Sequence, residues 1–256
     1  MTESMNTPQQ KSLNILLIGD NCTDVYQYGT VDRLSPEAPV PVFVPTRTET
    51  RAGMAGNVFN NLQALGCDVN YLYGETSTKT RLIDQRSKQQ IVRIDNDVES
   101  TSITFETSIP DVYDAVVISD YNKGTVSYEL MEEIISTVKC PVFIDTKKTD
   151  LARLEGAWVK INELEYSKLK SECTGLIVTC GDKGAKVIHH NVECSAPSVE
   201  VADVTGAGDT FLAAFAYQYI NTKNLLQSTS FAIDASAVTV QHIGVYAPIL
   251  EEIYEA

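Results

Sequence analysis

Short, unbroken apolar segments alternate along the chain with segments whose apolar residues recur at helical spacing. Leu13–Ile18 and Ala115–Ser119 read as buried strands, each followed within two residues by an aspartate. Val58–Leu65 and Phe211–Ile220 have the periodicity of helices, and the first of them stops at Gly66. Continuous apolar strands that alternate with helices form a parallel sheet covered on both faces. The sequence therefore predicts an α/β fold, a three-layer α/β/α sandwich with a mostly parallel central sheet.

Two stretches interrupt this alternation. Residues 33–51 contain four prolines among alternating apolar residues, and residues 83–94 alternate weakly. Proline inside strand-like sequence is typical of an edge strand or of a small separate sheet. We therefore expect a small projecting sheet, formed by about residues 32–50 with part of 80–95. The polar residues 1–12 are predicted to be a disordered tail, which leaves residues 13–256 as one domain.

The charge balance limits the class of partner. The 256 residues include 20 Lys and Arg against 34 Asp and Glu, a net charge of −14. This charge disfavours binding to nucleic acid or to an anionic membrane surface, which needs a basic face. No apolar segment approaches the roughly 18 residues of a membrane span, and the first residues lack the apolar core of a signal peptide, so we expect a cytoplasmic protein. A phosphate group could still bind to a few placed cations and backbone amides.

Polar residues follow most of the predicted strands. In an open parallel sheet, ligands bind beyond the carboxyl ends of the strands. This rule selects six side chains before any motif is considered: Asp20, Asp24, Asp120, Asp145, Asn162 and Thr179.

The segment Asp203–Phe211 reads DVTGAGDTF and leads into an apolar helix. Its glycines would let the amides of Gly206, Ala207 and Gly208 turn inward at the helix start, where the helix dipole also favours an anion. Asp209 would lie in the first helical turn. A carboxylate there stabilises the helix by about 0.3–1 kcal/mol. Beside an anion hole it can also take a proton from a hydroxyl while the amides hold a transferring phosphoryl group.

This segment resembles the C-terminal signature of the PfkB/ribokinase family of sugar kinases. Three further segments match that family in the same order. Arg51–Asn57 resembles the N-terminal glycine-rich signature, Asn162–Glu165 resembles the NxxE motif, and Gly181–Gly184 follows a strand where the family has a turn near the nucleotide. The resemblance implies a ribokinase-like fold with a small β lid, formed by the projecting sheet.

Within this family, the sequence resembles one subfamily more specifically: the kinase domain of the bacterial heptose-7-phosphate kinases. Residues 19–42, 89–95, 119–124 and 144–150 resemble that subfamily, and the resemblance covers residues 13–251. The nucleotidyltransferase half of the bifunctional members has no counterpart in this sequence. The resemblance implies transfer of the γ-phosphoryl group of ATP to the anomeric hydroxyl of a heptose 7-phosphate. In that reaction Asp209 would be the base, and the amides of Gly206, Ala207 and Gly208 would bind the developing charge.

The resemblance also implies roles for residues on the sugar side. Asp24, Gly53 and Asn57 would bind the substrate, although Asn57 could instead cap the helix that follows it. A phosphosugar additionally needs cations at its phosphate. Lys123 is the first choice and Lys147 the second; the alternative for each is an ordinary surface lysine.

A third candidate for the substrate phosphate is Arg33, which could reach it from the lid. On the nucleotide side Mg²⁺ is implied, held by Glu165 through water. Asp203 either fixes its own turn or helps to bind a monovalent cation such as K⁺. The residues implied to bind the nucleotide are Asn162, Glu165, Thr179, Gly181, Gly184 and Gly244.

The sequence departs from the family in three places. Met54 stands where the family usually has a second glycine. About thirty residues are missing between Gly74 and Thr78, roughly one strand–helix unit, and a helix is missing near residues 170–175. These departures keep two alternatives open: a kinase for another sugar or phosphosugar, and a nucleotide- or sugar-binding relative without turnover.

The lid predicts a homodimer. Val40, Val42 and Val44 alternate with prolines and would lie on one face of a short strand. Such a small sheet has little of its own to bury that face against. The resemblance implies that two lids pack together, and the alternative is that the valines close over the active site of their own chain.

Overall fold

The computed structural model describes residues 12–104 and 111–255, so the predicted tail lies outside the described residues apart from Ser12. One ten-stranded sheet passes through the described chain. Its strands are β1 (Asn14–Leu34), β2 (Pro41–Met54), β3 (Asp68–Asp84), β4 (Gln90–Asn96), β5 (Ala115–Asp120), β6 (Val142–Thr146), β7 (Trp158–Asn162), β8 (Leu176–Thr179), β9 (Ala185–Val187) and β10 (Val192–Cys194). They follow the order β10-β9-β8-β7-β6-β5-β1-β3-β4, and β2 pairs with β1.

Helices cover both faces of the central strands. They are α1 (Ala55–Ala64), α2 (Tyr128–Thr137), α3 (Glu163–Tyr166), α4 (Ala207–Thr222), α5 (Leu225–Thr239) and α6 (Leu250–Tyr254). Alternate residues of β1 enter different cores: Ile15 and Leu17 pack with α1, α4, α5 and α6, whereas Leu16 and Ile18 pack with α2. Strands β3, β1, β5, β6, β7 and β8 are parallel, and β9 and β10 are antiparallel. The predicted three-layer α/β/α sandwich with a mostly parallel sheet is confirmed.

Strand β1 does not end at Ile18, the last residue of the predicted strand. It continues to Leu34, with one irregularity in its pairing to β3 between Gly19 and Asn21. Beyond that point β1 forms backbone hydrogen bonds on both edges. The antiparallel strand β2 pairs with one edge, and the second half of β3 pairs with the other. The extended segment is therefore a strand because it has hydrogen-bonding partners on both sides.

The lid is the outward continuation of the sheet. It consists of residues 21–34 of β1, strand β2, residues 76–84 of β3, and β4. The predicted ranges, about residues 32–50 with part of 80–95, fall on the tip of this sheet, most of β2, the end of β3 and β4. They omit residues 21–31 of β1 and 76–79 of β3, because no local sequence signal shows that the two core strands run on into the lid.

The first of the two deletions inferred from the sequence falls inside β3, and the second lies between β7 and β8. Strand β3 passes from the main sheet into the lid through Gly74 and Thr78 without a helix between them. Strands β7 and β8 are neighbours, and the one α-helix between them is the single turn α3. Among the described residues, no helix is long and apolar enough to cross a membrane.

An aromatic cluster packs α4 against the sheet, and a substitution in this cluster tests that packing. Phe215 is 1% exposed, and its ring lies 6.0 Å from Phe143 and 6.3 Å from Trp158, the single tryptophan. Replacing Phe215 with Ala leaves a cavity between α4 and the sheet, so we expect the free energy of unfolding to fall by about 3–5 kcal/mol. Urea titration followed by Trp158 fluorescence measures this loss.

The matched control is Val112→Ala, at a position that is 61% exposed. We expect it to change the free energy of unfolding by less than about 0.5 kcal/mol. An equally small effect of Phe215→Ala would contradict the packing of α4 described above.

Candidate active site

The start of α4 holds a buried carboxylate between two neutral hydrogen-bond donors. Asp209 lies in the first turn of α4 and is 6% exposed. Its Oδ2 accepts a hydrogen bond from Asn57 Nδ2 at 2.9 Å, and its Oδ1 accepts one from the Tyr121 hydroxyl, also at 2.9 Å. The structure thus brings together two residues that the sequence predicted separately, and adds Tyr121.

This environment changes the acidity of Asp209. Burial raises the pKa of its carboxyl to about 6, and the hydrogen bonds from Asn57 and Tyr121 oppose part of that rise. Burial and the nearby negative charges hold the pKa of Tyr121 well above its usual range, so its hydroxyl stays protonated and donates. A carboxylate with a pKa this close to neutrality can accept a proton and release it again.

A second carboxylate positions Tyr121. Asp20 Oδ2 accepts hydrogen bonds from the backbone N–H groups of Tyr121 at 2.7 Å and Lys123 at 3.1 Å, and its Oδ1 accepts one from the N–H of Thr125 at 3.3 Å. The predicted strand-end Asp20 therefore fixes the loop after β5, and through it the hydroxyl that contacts Asp209.

The glycine that precedes α4 is required by a close approach. Gly206 has φ +85°, and a Cβ at this position would lie 2.7 Å from Asn57 Nδ2. A side chain there would displace the amide that donates to Asp209. The amides of Gly206 and Gly208 lie at the helix start, where the helix dipole favours an anion, whereas the Ala207 N–H donates to the Val204 carbonyl at 3.3 Å.

The predicted sugar residues lie where the lid meets the main sheet. Asp24 on β1 is 5% exposed and forms an ion pair with Arg81 at 2.5 Å. Gly53 on β2 lies against it, since a Cβ on Gly53 would overlap Asp24 Oδ2. Two guanidinium groups that the sequence did not select, those of Arg51 and Arg81, each lie 5.1 Å from the centre of the Tyr26 ring.

The three cations predicted for the substrate phosphate are placed differently. Lys123 pairs with Asp97 at 2.5 Å. Lys147 donates to Glu165, and its ammonium lies 5.2 Å from the centre of the Tyr121 ring. Arg33 is exposed near the tip of the lid, about 30 Å of strand beyond Asp24. The structure does not bring Arg33 to the sugar residues of its own chain, because β1 continues straight into the lid.

The NxxE segment forms a capping box at the start of α3. Asn162 Oδ1 accepts from the Glu165 N–H at 2.8 Å, and Glu165 Oε2 accepts from the Asn162 N–H at 2.9 Å. This arrangement satisfies two of the free amide groups of the helix start. The second carboxylate oxygen of Glu165 faces Lys147 at the active edge of the sheet.

A cavity of about 610 Å³ opens beside the start of α4. Thr179, Gly181 and Gly184 line it, as predicted for nucleotide-binding residues, and so do Ala207 and Gly208. Its other walls are largely apolar and include Val199, Val201, Phe211, Ile233 and Val240. The volume is within the range of small-molecule sites.

Gly244 does not line this cavity, contrary to the prediction. Its N–H donates to Asp203 Oδ2 at 2.9 Å, and a Cβ on it would overlap an Arg51 nitrogen. The loop after α5 folds back onto the Asp203 turn, which places Gly244 on the sugar side. Asp203 also accepts from the N–H and the hydroxyl of Thr205. Burial alone would raise the pKa of Asp203, but these hydrogen bonds outweigh it and lower that pKa.

Sequence reasoning missed a buried ion pair beside α4. Lys160 Nζ lies 2.7 Å from Asp145 Oδ2, and both side chains are almost fully buried. The sequence contained a signal for it, since Lys160 is a charged residue inside the apolar segment 158–161. Asp145 was selected by its place at a strand end, but without a role.

Met54 has the backbone conformation of a glycine position. Its φ is +53°, and it immediately precedes α1. Its side chain is 5% exposed and belongs to neither of the two core clusters. Positive φ in a residue with a side chain costs on the order of 1–3 kcal/mol and is commonest at functional sites.

Comparison with known proteins defines the family. A profile of the pfkB family of carbohydrate kinases matches residues 74–252. This chain belongs to that family. The matched range includes the start of α4 and the residues that line the cavity beside it.

Individual relatives agree with this assignment. The chain is 36% identical to the bifunctional protein HldE of a Nitratiruptor species, in an alignment that covers 94% of this chain and 64% of the relative. The alignment is 301 positions long, more than the 256 residues of this chain, so the relative carries segments that this pfkB kinase lacks. The chain spans less than two thirds of that relative.

Solved structures show the same fold. Ribokinase from Thermotoga maritima superposes with a TM-score of 0.72 at 17% identity, over 95% of this chain and 98% of the other. Ribokinase from Arabidopsis thaliana, in complex with ribose and ATP, gives 0.69 at 16% identity, over 96% and 98%. The ribokinase-like fold expected from the sequence is therefore confirmed.

The environment of Asp209 predicts the pH dependence of this carbohydrate kinase. The sequence predicts Asp209 as the base, and a base must be deprotonated. We therefore expect kcat/KM for the sugar to fall about tenfold for each pH unit below about 6 and to level off above about 7. Steady-state rates between pH 5 and 8 measure this acid limb.

The variant Tyr121→Phe distinguishes titration of Asp209 from titration of the substrates, because substrate phosphates also titrate near pH 6. The Tyr121 hydrogen bond lowers the pKa of Asp209, so its loss should move the acid limb to higher pH while the substrate titrations stay the same. Superimposable profiles for the two proteins would show that the limb does not report Asp209.

Proposed function

We propose that this protein transfers the γ-phosphoryl group of ATP to the anomeric hydroxyl of a heptose 7-phosphate. The observation that carries the proposal is the Asp209 carboxylate, buried at the start of α4 beside the amides of Gly206, Ala207 and Gly208. Its neutral donors leave it basic enough to accept the proton of an attacking hydroxyl. The amides and the helix dipole would stabilise the charge that develops on the phosphoryl oxygens.

The cavity next to α4 supports ATP as the phosphoryl donor. It runs from the turn at Gly181 and Gly184 to Gly208, with apolar walls suited to a base and ribose. A nucleotide lying along it would direct its phosphates at the helix start. The opposite side of that helix start faces Asn57, so donor and acceptor would meet at Asp209.

The residues present fit Mg²⁺. Asp145 Oδ1 is buried without a hydrogen-bond partner, and Lys147 lies between Asp145 and Glu165. Carboxylate oxygens are the ligands that Mg²⁺ prefers, usually with several waters retained. Asp145 and Glu165 would hold the ion, which when bound neutralises charge on the nucleotide phosphates. K⁺ remains a prediction from the sequence, and the three hydrogen bonds to Asp203 favour its structural alternative.

Two arguments support a phosphorylated sugar. Arg51 and Arg81 place two guanidinium groups beside the sugar residue Asp24, in a protein whose net charge is −14. Arginine is well suited to phosphate because it can donate two parallel hydrogen bonds. The similarity to proteins named HldE, together with the heptose-kinase segments of the sequence, supports a heptose.

A second candidate is a kinase for a different phosphosugar. Met54, buried at the sugar end of β2 with positive φ, favours it because this side chain occupies space that a glycine would leave open. A coupled assay of ADP release, run with ATP and a panel of hexose, heptose and pentose phosphates, distinguishes the candidates. Release with the heptose 7-phosphate at the highest kcat/KM supports the first proposal.

Asp209→Asn tests the role of the base. We expect kcat to fall by about 10²–10⁴-fold, the usual contribution of general-base catalysis, with ATP affinity within a few-fold of the unmutated protein. Stopped-time product analysis and calorimetric titration of ATP measure the two quantities. Near-normal turnover by the purified variant would rule out Asp209 as the base.

We further propose that the lid joins two subunits. Its outer strands expose apolar side chains: Val44 on β2 is 51% exposed, and Val92 and Ile94 on β4 are 45% and 52% exposed. Val42 is half-buried on the same strand as Val44. Strand register places Val92 and Ile94 on the opposite face of the lid from Val42 and Val44. Packing the face of Val42 and Val44 against a second copy through a twofold axis would remove it from water.

Val44→Asp tests the lid interface. The position is exposed, so the charge should leave the fold intact but should be unfavourable inside an apolar contact, and we expect a dimer to become a monomer at micromolar concentration. Light scattering after gel filtration measures the mass. The control is Val112→Asp, outside the lid. A monomeric unmutated protein would contradict the proposal directly.

A further inference from the structure

Lys160 has a buried ammonium group that has no role in the reaction proposed above. It lies in the middle of β7, and its side chain is 6% exposed. Its partner Asp145 is 5% exposed, at a distance of 2.7 Å. Removing two charges from water is costly, and a buried ion pair repays the cost only when its remaining donors and acceptors are satisfied.

That condition is not met within the described chain. Lys160 has three N–H donors but makes one hydrogen bond, to Asp145, and Asp145 Oδ1 accepts none. Lys148 on the neighbouring strand end provides the contrast: its ammonium donates to Asp120, Asn122 and the Val126 carbonyl. The unused donors of Lys160 therefore indicate a missing acceptor.

The location indicates what that acceptor is. A Cβ on Gly208 would lie 2.7 Å from Lys160 Nζ, so glycine at this position leaves room for the ammonium at the first turn of α4. A cation is electrostatically unfavourable at a helix N-terminus, and Asp145 is the anion that offsets it there, while two N–H donors of the ammonium remain without an acceptor among the described residues. Gly208 also lines the proposed nucleotide cavity, so the ammonium lies behind a wall residue of that cavity, although Lys160 itself does not line it.

We propose that Lys160 is a catalytic residue whose ammonium contacts the terminal phosphoryl group of the nucleoside triphosphate. This inference rests on the proposed kinase function. Asp145 holds the ammonium in place, and the two free N–H groups donate to phosphoryl oxygens. The site would therefore distinguish a triphosphate from a diphosphate by one charged contact.

The step requires no change in Lys160 itself. The sugar oxygen forms a bond to the γ-phosphorus, the bond between that phosphorus and the β–γ bridging oxygen breaks, and the hydroxyl proton passes to Asp209. The products are ADP and the phosphorylated sugar. Lys160 keeps its proton throughout and offsets charge on the transferring group.

Lys160→Met is the first test, because it removes the charge and keeps the length of the side chain. Calorimetry in EDTA, with the β,γ-imido analogue of ATP and with ADP, measures affinity without Mg²⁺ and without turnover. We expect the affinity for the triphosphate analogue to fall about 10–100-fold, as for a lost charged hydrogen bond, and that for ADP to change less than about threefold. Lys148→Met is the matched control, a buried ion-paired lysine whose loss should leave the ratio of the two affinities unchanged.

A second variant covers the case in which a lone buried Asp145 prevents folding. Lys160→Met combined with Asp145→Asn leaves no unpaired buried charge, and it is compared with Asp145→Asn alone. We expect the single variant to retain the preference for the triphosphate and the double variant to lose it. A preserved preference in Lys160→Met or in the double variant would overturn the inference.

Kinetics separate this inference from the proposed function. If the unmutated protein phosphorylates a sugar phosphate, Lys160→Met should lower kcat by about 10²–10³-fold and leave KM for the sugar within a few-fold. Unchanged kcat in the variant would overturn the role of Lys160 alone. If the unmutated protein transfers phosphate to no sugar phosphate, the proposed function is overturned. The affinity ratios would still show whether Lys160 contacts the terminal phosphate.

Discussion

The pairing of β1 with β3 is the constraint on which the rest of the structure depends. These two strands run parallel from Asn14 and Asp68 in the core to Gly29 and Asp84 in the lid. Their one irregularity, between Gly19 and Asn21, lies where the main sheet ends and the lid begins. The same two strands belong to the main sheet and to the lid. The predicted sugar residues therefore lie at the junction of the two, without a separate hinge segment.

The distribution of charge around α4 follows from the same geometry. The carboxylates at the ends of β5 and β6 each pair with a lysine, Asp120 with Lys148 and Asp145 with Lys160. Asp209 instead accepts its hydrogen bonds from two neutral groups, Asn57 and Tyr121. Burial raises the pKa of Asp209 to about 6, and the hydrogen bonds that oppose this rise come from neutral groups.

Much of the site was predictable because its signals are local. The two glycines and the aspartate of residues 206–209 define a helix start with inward amides, and the structure has that helix start. The capping box of Asn162 and Glu165 is likewise local. Arg33 and Gly244 were misplaced for the opposite reason: their positions depend on how far β1 extends and on where the loop after α5 folds back, which local sequence does not encode.

The sequence by itself determined the element types, the two-faced burial of the core strands, and most of the residues that end them, because these follow from periodicity and from backbone preferences over a few positions. Tertiary structure decided which charged groups meet. Asn57 and Asp209 are 152 positions apart, and Lys160 reaches Gly208 from a different layer of the fold. Such contacts depend on strand register and on helix packing to within about an ångström. The sequence shows that a residue is charged, but only those distances determine which residue it pairs with.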